Sequence, residues 1–382
     1  MSVPANLLPT ELYEKIASYL ARSELASLAR ASRFTHAIAF TRLHHEVVVV
    51  RSTPAQVVLD LLESLNRQPN LAKVVRKLDL DWTNAHVSRS VQDSIGIRLA
   101  TTLSDVLSST VHLEYLAISR ALRSPLHWDV WQGNGAVPFL TRLREVHIYS
   151  TSWELSTGLE TFISRLKRLR QLMLFPSLNR GIAQSIASVQ QLDVLRLQSV
   201  DELMVVLGSG HTLRHIRRID IASSADQQIR SILRVYSSLP DVQQLNFIRH
   251  IRFYSLVRTT SIAAQWLSMR RLGLYYCPAG QNLLEPHVQE MVAFSGRAFP
   301  HLEYLDLYCV CGDKDHFFTS SVIHIRIITS ALLDIVRPWL GLRQLTFAGR
   351  AYLRGVDREL EFTSEKLDSI HEVPDIPFHQ LE

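Results

Sequence analysis

The groups best suited to chemistry come closest together in the run Cys309-Val310-Cys311-Gly312-Asp313-Lys314-Asp315-His316. Thiolate, carboxylate and imidazole are the ligands zinc takes, but a zinc site needs further ligands at recognisable spacing. Cys277 is the only other thiol in the chain, and a cysteine closing an apolar strand is an ordinary buried side chain. His44-His45-Glu46 lacks the His-Glu-x-x-His spacing that sets two imidazoles on one helical face. Gly208-Ser209-Gly210-His211 lacks the Lys-Ser/Thr ending of a phosphate loop and reads as the stop of a helix through Val205-Val206-Leu207. No Gly-x-Ser-x-Gly elbow is present. No local spacing sets an acid beside a base. These groups predict a chain that is not an enzyme, with no cofactor and no metal.

Binding is then the work left for the side chains, and a repeat says where they stand. The pattern apolar-x-x-apolar-x-apolar recurs ten times, from Val75-Leu78-Leu80 and Leu113-Leu116-Ile118 through to Leu302-Leu305-Leu307 and Leu342-Leu345-Phe347. Central units follow one another at 23 to 27 residues, while the first and last gaps are 38 and 40. The last two apolar residues of each triplet share one face of a strand, and the residues alternating with them share the other. Aromatic and arginine side chains, the usual anchors of protein interfaces, fall on that second face. Tyr149, Phe175, Tyr275 and Tyr308 occupy one position, just after the last core residue, and Arg196, Arg271 and Tyr304 join them. These seven are the candidate target-binding residues.

One strand cannot bury its apolar face alone, so the units must stack. A period in the twenties with one strand and one helix per unit is that of leucine-rich repeats. The predicted fold class is α/β, a curved solenoid over 75–349 with a parallel concave sheet and helices on the convex side. Residues 48–74 read as a linking strand and helix, and 350–382 as a cap with a loose tail carrying Pro374 and Pro377. A doubly wound sheet also alternates strands with helices and is the competing architecture.

Residues 1–47 read as helices. The run Leu8-Pro9-x-Glu11-Leu12, then Ile16 and Tyr19-Leu20, follows one helical face, and Ser23 can cap a second helix carrying Leu25 and Leu28. This stretch, continuing through Glu24-Leu25-x-x-Leu28 and Ala31-Ser32-Arg33, resembles an F-box. Phe34 stands where many members carry Trp. The resemblance implies docking on a Skp-type adaptor and, through it, a cullin–RING ubiquitin ligase. Carried over by position, Leu8, Pro9, Leu12, Ile16, Leu20, Leu25 and Leu28 would hold the helices together or face the adaptor. F-boxes are often followed by irregular leucine-rich repeats, and the arginine usage and uneven repeats resemble fungal members of the family. The implied function is the target-recognition subunit of an SCF-type ligase. A repeat scaffold with no ligase role, whose first helices are only a cap, is the alternative.

Composition bounds these readings. An apolar share of 47% and a charged share of 20% describe a globular chain. No span of about twenty apolar residues lacks a charge, and no basic stretch leads into an apolar run at the start. Three cysteines fit a reducing compartment, so a cytoplasmic or nuclear location is expected. Net charge is +5, with 35 Arg against six Lys. The charge is spread along the chain, and codon composition explains the bias most simply. Avoidance of acceptor lysines in a ligase subunit is the sharper reading. Arg22, Arg30, Arg33 and Arg42 do not make a recognition helix among so many Ala and Leu, so no nucleic acid partner is expected. A monomer apart from its complex completes the expectation.

Overall fold

Alternating apolar residues become strands here because each strand finds a parallel neighbour. The computed structural model describes residues 9–50, 53–80, 89–118, 140–148, 157–174, 178–208, 213, 215–221, 239, 241–247, 266–276, 295–309, 330, 332–347, 350–354 and 360–366. The chain divides into two compact units, residues 1–198 with 205–211 and residues 199–204 with 212–382.

The first unit opens with three helices, α1 (Thr10–Ala17), α2 (Arg22–Ala31) and α3 (Arg33–Leu43). Pro9 precedes α1, where its missing N–H is no loss, and its carbonyl accepts from Leu12 N at 3.0 Å. The expected cap at Ser23 is displaced. The cap is Ala21, two residues earlier, and Glu24 Oε2 accepts from Ala21 N at 2.7 Å instead. A carboxylate reaching back from the first turn satisfies that N–H and opposes the helix dipole. Ser32 caps α3, accepting from Thr35 N at 3.1 Å. Ala17, Leu25, Ile38 and Ala39 are buried together, with Tyr13, Leu20, Leu28, Ala29, Phe34 and Leu43 packed around them. So small a cluster is marginal alone.

Six strands follow in this unit: β1 (Glu46–Val49), β2 (Lys77–Leu80), β3 (Tyr115–Ile118), β4 (Glu145–Ile148), β5 (Gln171–Leu174) and β6 (Val194–Leu197). Each pairs in parallel with the next. Parallel neighbours need a crossover. Helices α4 (Ala55–Arg67), α5 (Pro69–Val74), α6 (Arg89–Ser109), α7 (Thr157–Arg165) and α8 (Arg180–Ser188) supply it where the connections are described. Val58, Leu59, Leu62 and Leu65 of α4 are buried, as are Leu78 and Leu80 of β2.

The repeat also appears in the backbone just before each strand. The His45 carbonyl accepts from both Arg76 N and Lys77 N, that of Arg76 from Glu114 N and Tyr115 N, and that of Glu114 from Arg144 N and Glu145 N. Arg144 and Arg170 continue the series into β5 and β6. One shared acceptor per unit fixes the register of the next.

In the second unit, β7 (Arg218–Ile221), β8 (Gln244–Phe247), β9 (Arg271–Tyr276), β10 (Tyr304–Cys309) and β11 (Gln344–Phe347) are again parallel. The carbonyls of Arg217, Gln243, Arg270 and Glu303 repeat the double acceptance. Two antiparallel strands, β12 (Arg350–Arg354) and β13 (Leu360–Lys366), pair in turn beyond β11. Throughout both units, every described side chain of the ten triplets is buried. The architecture is α/β with mostly parallel strands in repeating units. Among the described residues no helix is long and apolar enough to cross a membrane.

Candidate functional site

Two surfaces carry the candidate residues: helix α1 and the strand faces opposite the apolar rows. On α1, Ala17 and Tyr13 turn inward, Tyr13 meeting Phe34 edge-on at 5.1 Å. Leu12 and Ile16 point away and are 44% and 45% exposed, and Tyr19, in the turn beyond, is 79% exposed. Their spacing of four and three residues sets them along one line. A surface helix ordinarily turns such a line to the core, so this helix is apolar on two sides. Pro9 is exposed at the head of the line. Leu20, Leu25 and Leu28 belong to the helical core, and Leu8 lies outside the described residues.

Within each unit the strand residues opposite the apolar rows form two columns. The first, with Lys77, Tyr115, Glu145 and Gln171 in the first unit and Arg218, Gln244, Arg271 and Tyr304 in the second, is half-buried. Most of the second column is buried: Ala117, His147 and Met173 in the first unit, and Asp220, Asn246, Gly273, Asp306 and Thr346 in the second. Alternation predicts the side of the sheet and not the depth. These polar groups need partners in place, and His147, Asp220, Asn246 and Asp306 Oδ2 have them, while the buried Asp306 Oδ1 has none among the described residues.

In the first unit His147 is held at both ring nitrogens. Nε2 lies 2.8 Å from Glu145 Oε1, and Nδ1 lies 3.1 Å from the Tyr115 hydroxyl. The small side chain of Ala117, paired with His147 across the strands, leaves room for the Tyr115 ring to lean over, and the two rings meet edge-on at 5.0 Å. Lys77 Nζ sits 4.9 Å from the centre of the Tyr115 ring. Burial alone would raise the Glu145 carboxyl. The hydrogen bond with His147, its charge, and the charges of Arg196 and Lys77 outweigh it and hold the carboxyl below its ordinary range. Candidate Arg196 is half-buried, with Nη1 3.8 Å from the Met173 sulfur.

In the second unit Asp220 Oδ1 accepts from Arg218 Nε at 2.9 Å and from Asn246 Nδ2 at 2.6 Å. Candidate Arg271 donates from Nε to Asp306 Oδ2 at 2.6 Å, and its guanidinium lies 5.7 Å from the ring centre of candidate Tyr304. Both candidates are half-buried. The backbones of Tyr275 and Tyr308 pair across β9 and β10. Tyr149 and Phe175 lie outside the described residues, as do Cys277, Cys311, Asp313, Asp315 and His316. Among the described residues no three metal-binding side chains cluster. In the first unit this face can offer a partner the edges of Tyr115, Gln171 and Arg196, and in the second unit those of Arg271 and Tyr304. The buried second column serves chiefly to hold those residues in position.

A third group joins α3 to β1. Arg22 Nη2 donates to the Glu46 carbonyl at 3.1 Å, tying the start of α2 to the start of the sheet. Beside it the imidazole of His44 is held below its ordinary value of 6.5, first by burial and then by the charges of Arg22 and His36. His45 is lowered in the same way, by burial and then by Arg76 and Arg42, against the opposing pull of Glu114 and Glu46. The spacing of His44-His45 does not fit metal ligands, and it could not reveal this junction, whose charges come from stretches far apart in the chain, from Arg22 to Glu114.

No family model matches the chain, and no curated protein matches it in sequence. Among solved structures, the chain is similar to a leucine-rich-repeat protein of Leptospira interrogans at 11% identity. That match covers 78% of this chain and 88% of the other, with a TM-score of 0.22. At that score the likeness carries no weight, and the repeat architecture rests on the strand register and the shared carbonyls.

Proposed function

We propose that the chain is a non-catalytic target receptor, with the repeats binding another protein and the first helices docking on a Skp-type adaptor of a cullin–RING ubiquitin ligase. The observation that carries the reading is the exposed line Leu12, Ile16 and Tyr19 on a helix whose other side is already committed to a core. A helix with a second apolar side fits a hydrophobic groove on a partner. In this reading Pro9, Leu12 and Ile16, with Leu8, contact the adaptor, while Leu20, Leu25 and Leu28 brace the helices behind them. The repeats form a curved solenoid with helices on its convex side and present Arg196, Arg271 and Tyr304, with Tyr149, Phe175, Tyr275 and Tyr308, to the target.

Such a receptor makes and breaks no bond. It raises the effective concentration of a bound target near the ubiquitin being transferred, and a stiff repeat array suits the task by fixing the span between the two sites. The reading places the protein in the cytoplasm or nucleus. Co-purification of the full chain with a recombinant Skp-type adaptor tests it. Binding that is lost in Leu12→Asp with Ile16→Asp supports the receptor. No binding by the intact chain leaves a repeat scaffold whose first helices are a cap.

A further inference from the structure

Two arginines separated by one leucine recur at the same offset in successive repeats, Arg142-Leu143-Arg144 before β4 and Arg168-Leu169-Arg170 before β5. Leu143 and Leu169 are fully buried and all four arginines are exposed. Arg170 N donates to the Arg144 carbonyl at 2.7 Å, so the two motifs lie side by side, about 4.8 Å apart as strands are. Arg165 at the end of α7 and Lys167 in the following turn add two further exposed cations. On this edge Arg76, two repeats before Arg144, is bridged at 3.3 Å to Glu114, which stands one repeat before Arg144. Among the described residues none of the six forms an ion pair or a side-chain hydrogen bond. Like charges this close repel one another unless something answers them.

We propose that this edge of the first unit docks an extended acidic segment of a partner protein, with carboxylates at alternate positions. In an extended chain the side chains on one face recur every two residues, about 6.6 Å apart, so carboxylates at alternate positions can meet successive cations of the row. Guanidinium groups take carboxylates in a bidentate fork, giving the row geometric selectivity as well as charge. A nucleic acid fits less well. Among the described residues none of the six cations is interleaved with an exposed aromatic on which a base could stack, and two repeats offer only a short track of phosphate contacts. The edge lies before the strands, apart from the residues named for the strand face, and its use does not depend on adaptor docking.

Fluorescence anisotropy with the full chain and a labelled twelve-residue peptide of alternating Glu and Ser tests the proposal. The peptide is expected to bind and to weaken as salt is raised. Arg142→Glu with Arg168→Glu is expected to weaken it at least about tenfold, because like charges then face the carboxylates. Arg144→Gln with Arg170→Gln is a milder second pair, expected to weaken binding in the same direction. All four side chains are exposed and, among the described residues, unpartnered, so circular dichroism and melting should stay as in the wild type. No binding by the wild type at low salt, or equal binding by wild type and both variants, overturns the surface. A labelled single-stranded oligonucleotide that binds more tightly than the peptide, and is lost in the same variants, overturns the choice of partner.

Discussion

Asn246 and Asp220 stand on neighbouring strands with Nδ2 of the first donating to Oδ1 of the second at 2.6 Å, both buried on the face opposite the apolar rows. Gly273, which pairs with Asn246 across β8 and β9, makes this possible: a Cβ there would run into Asn246 Oδ1. The Gly273→Ala variant is therefore expected to push Asn246 off Asp220 and destabilise the second unit by about 1–3 kcal/mol. Urea denaturation followed by circular dichroism checks it. An unchanged midpoint would show that Asn246 moves aside without loss.

Removing Asp220 is expected to do more harm than removing Asn246. Asp220→Ala leaves the half-buried Arg218 guanidinium without its carboxylate, a loss of about 3–5 kcal/mol for a buried pair. Asn246→Ala removes one hydrogen bond to a charged group, worth about 1.5–3 kcal/mol. Paired denaturation curves of the two variants give the order directly.

The strands were legible because their apolar residues obey a fixed offset, as in Leu143-Val146-Ile148 and Leu169-Leu172-Leu174, and every described side chain of these triplets is buried. Depth on the opposite face was not legible. Asp220, Asn246, Asp306 and Thr346 alternate with core residues as solvent-facing groups would, yet all are buried, and Asn246 and Arg271 on adjoining strands supply partners for Asp220 and Asp306. The start of α2 was misplaced because Ser23 competes on equal terms with a Glu24 carboxylate reaching back to Ala21, and only the fold decides between them. The cation pairs Arg142/Arg168 and Arg144/Arg170 could have been found by aligning the repeats on their triplets, since both pairs fall at one offset.

Acid is expected to loosen the junction between α3 and β1. The folded imidazoles of His44 and His45 are depressed, so the unfolded chain takes up protons first as pH falls. Their share of stability is complete above 6.5 and is lost as pH drops through the lower folded values. Melting temperatures at intervals between pH 7.5 and 5 should fall in the wild type and fall less in His45→Gln. A flat profile over that range would contradict the assignment.

Glu145 gives a second, more acidic limb. Its folded carboxyl is depressed, so the stability it contributes is present above the ordinary carboxylate value and lost as pH falls through the folded one. Glu145→Gln should abolish that limb while leaving the histidine limb untouched, a separation visible in the same melting series.

Helix α1 carries the proposed adaptor docking, and isothermal titration of the full chain into a Skp-type adaptor tests it. The wild type is expected to bind with one-to-one stoichiometry. Leu12→Asp with Ile16→Asp is expected to abolish the heat of binding with stability changed by no more than about 0.5 kcal/mol, since both side chains face solvent. Binding by that variant equal to wild type, or a collapse of its folding, would contradict the claim that this side of α1 is kept free for a partner.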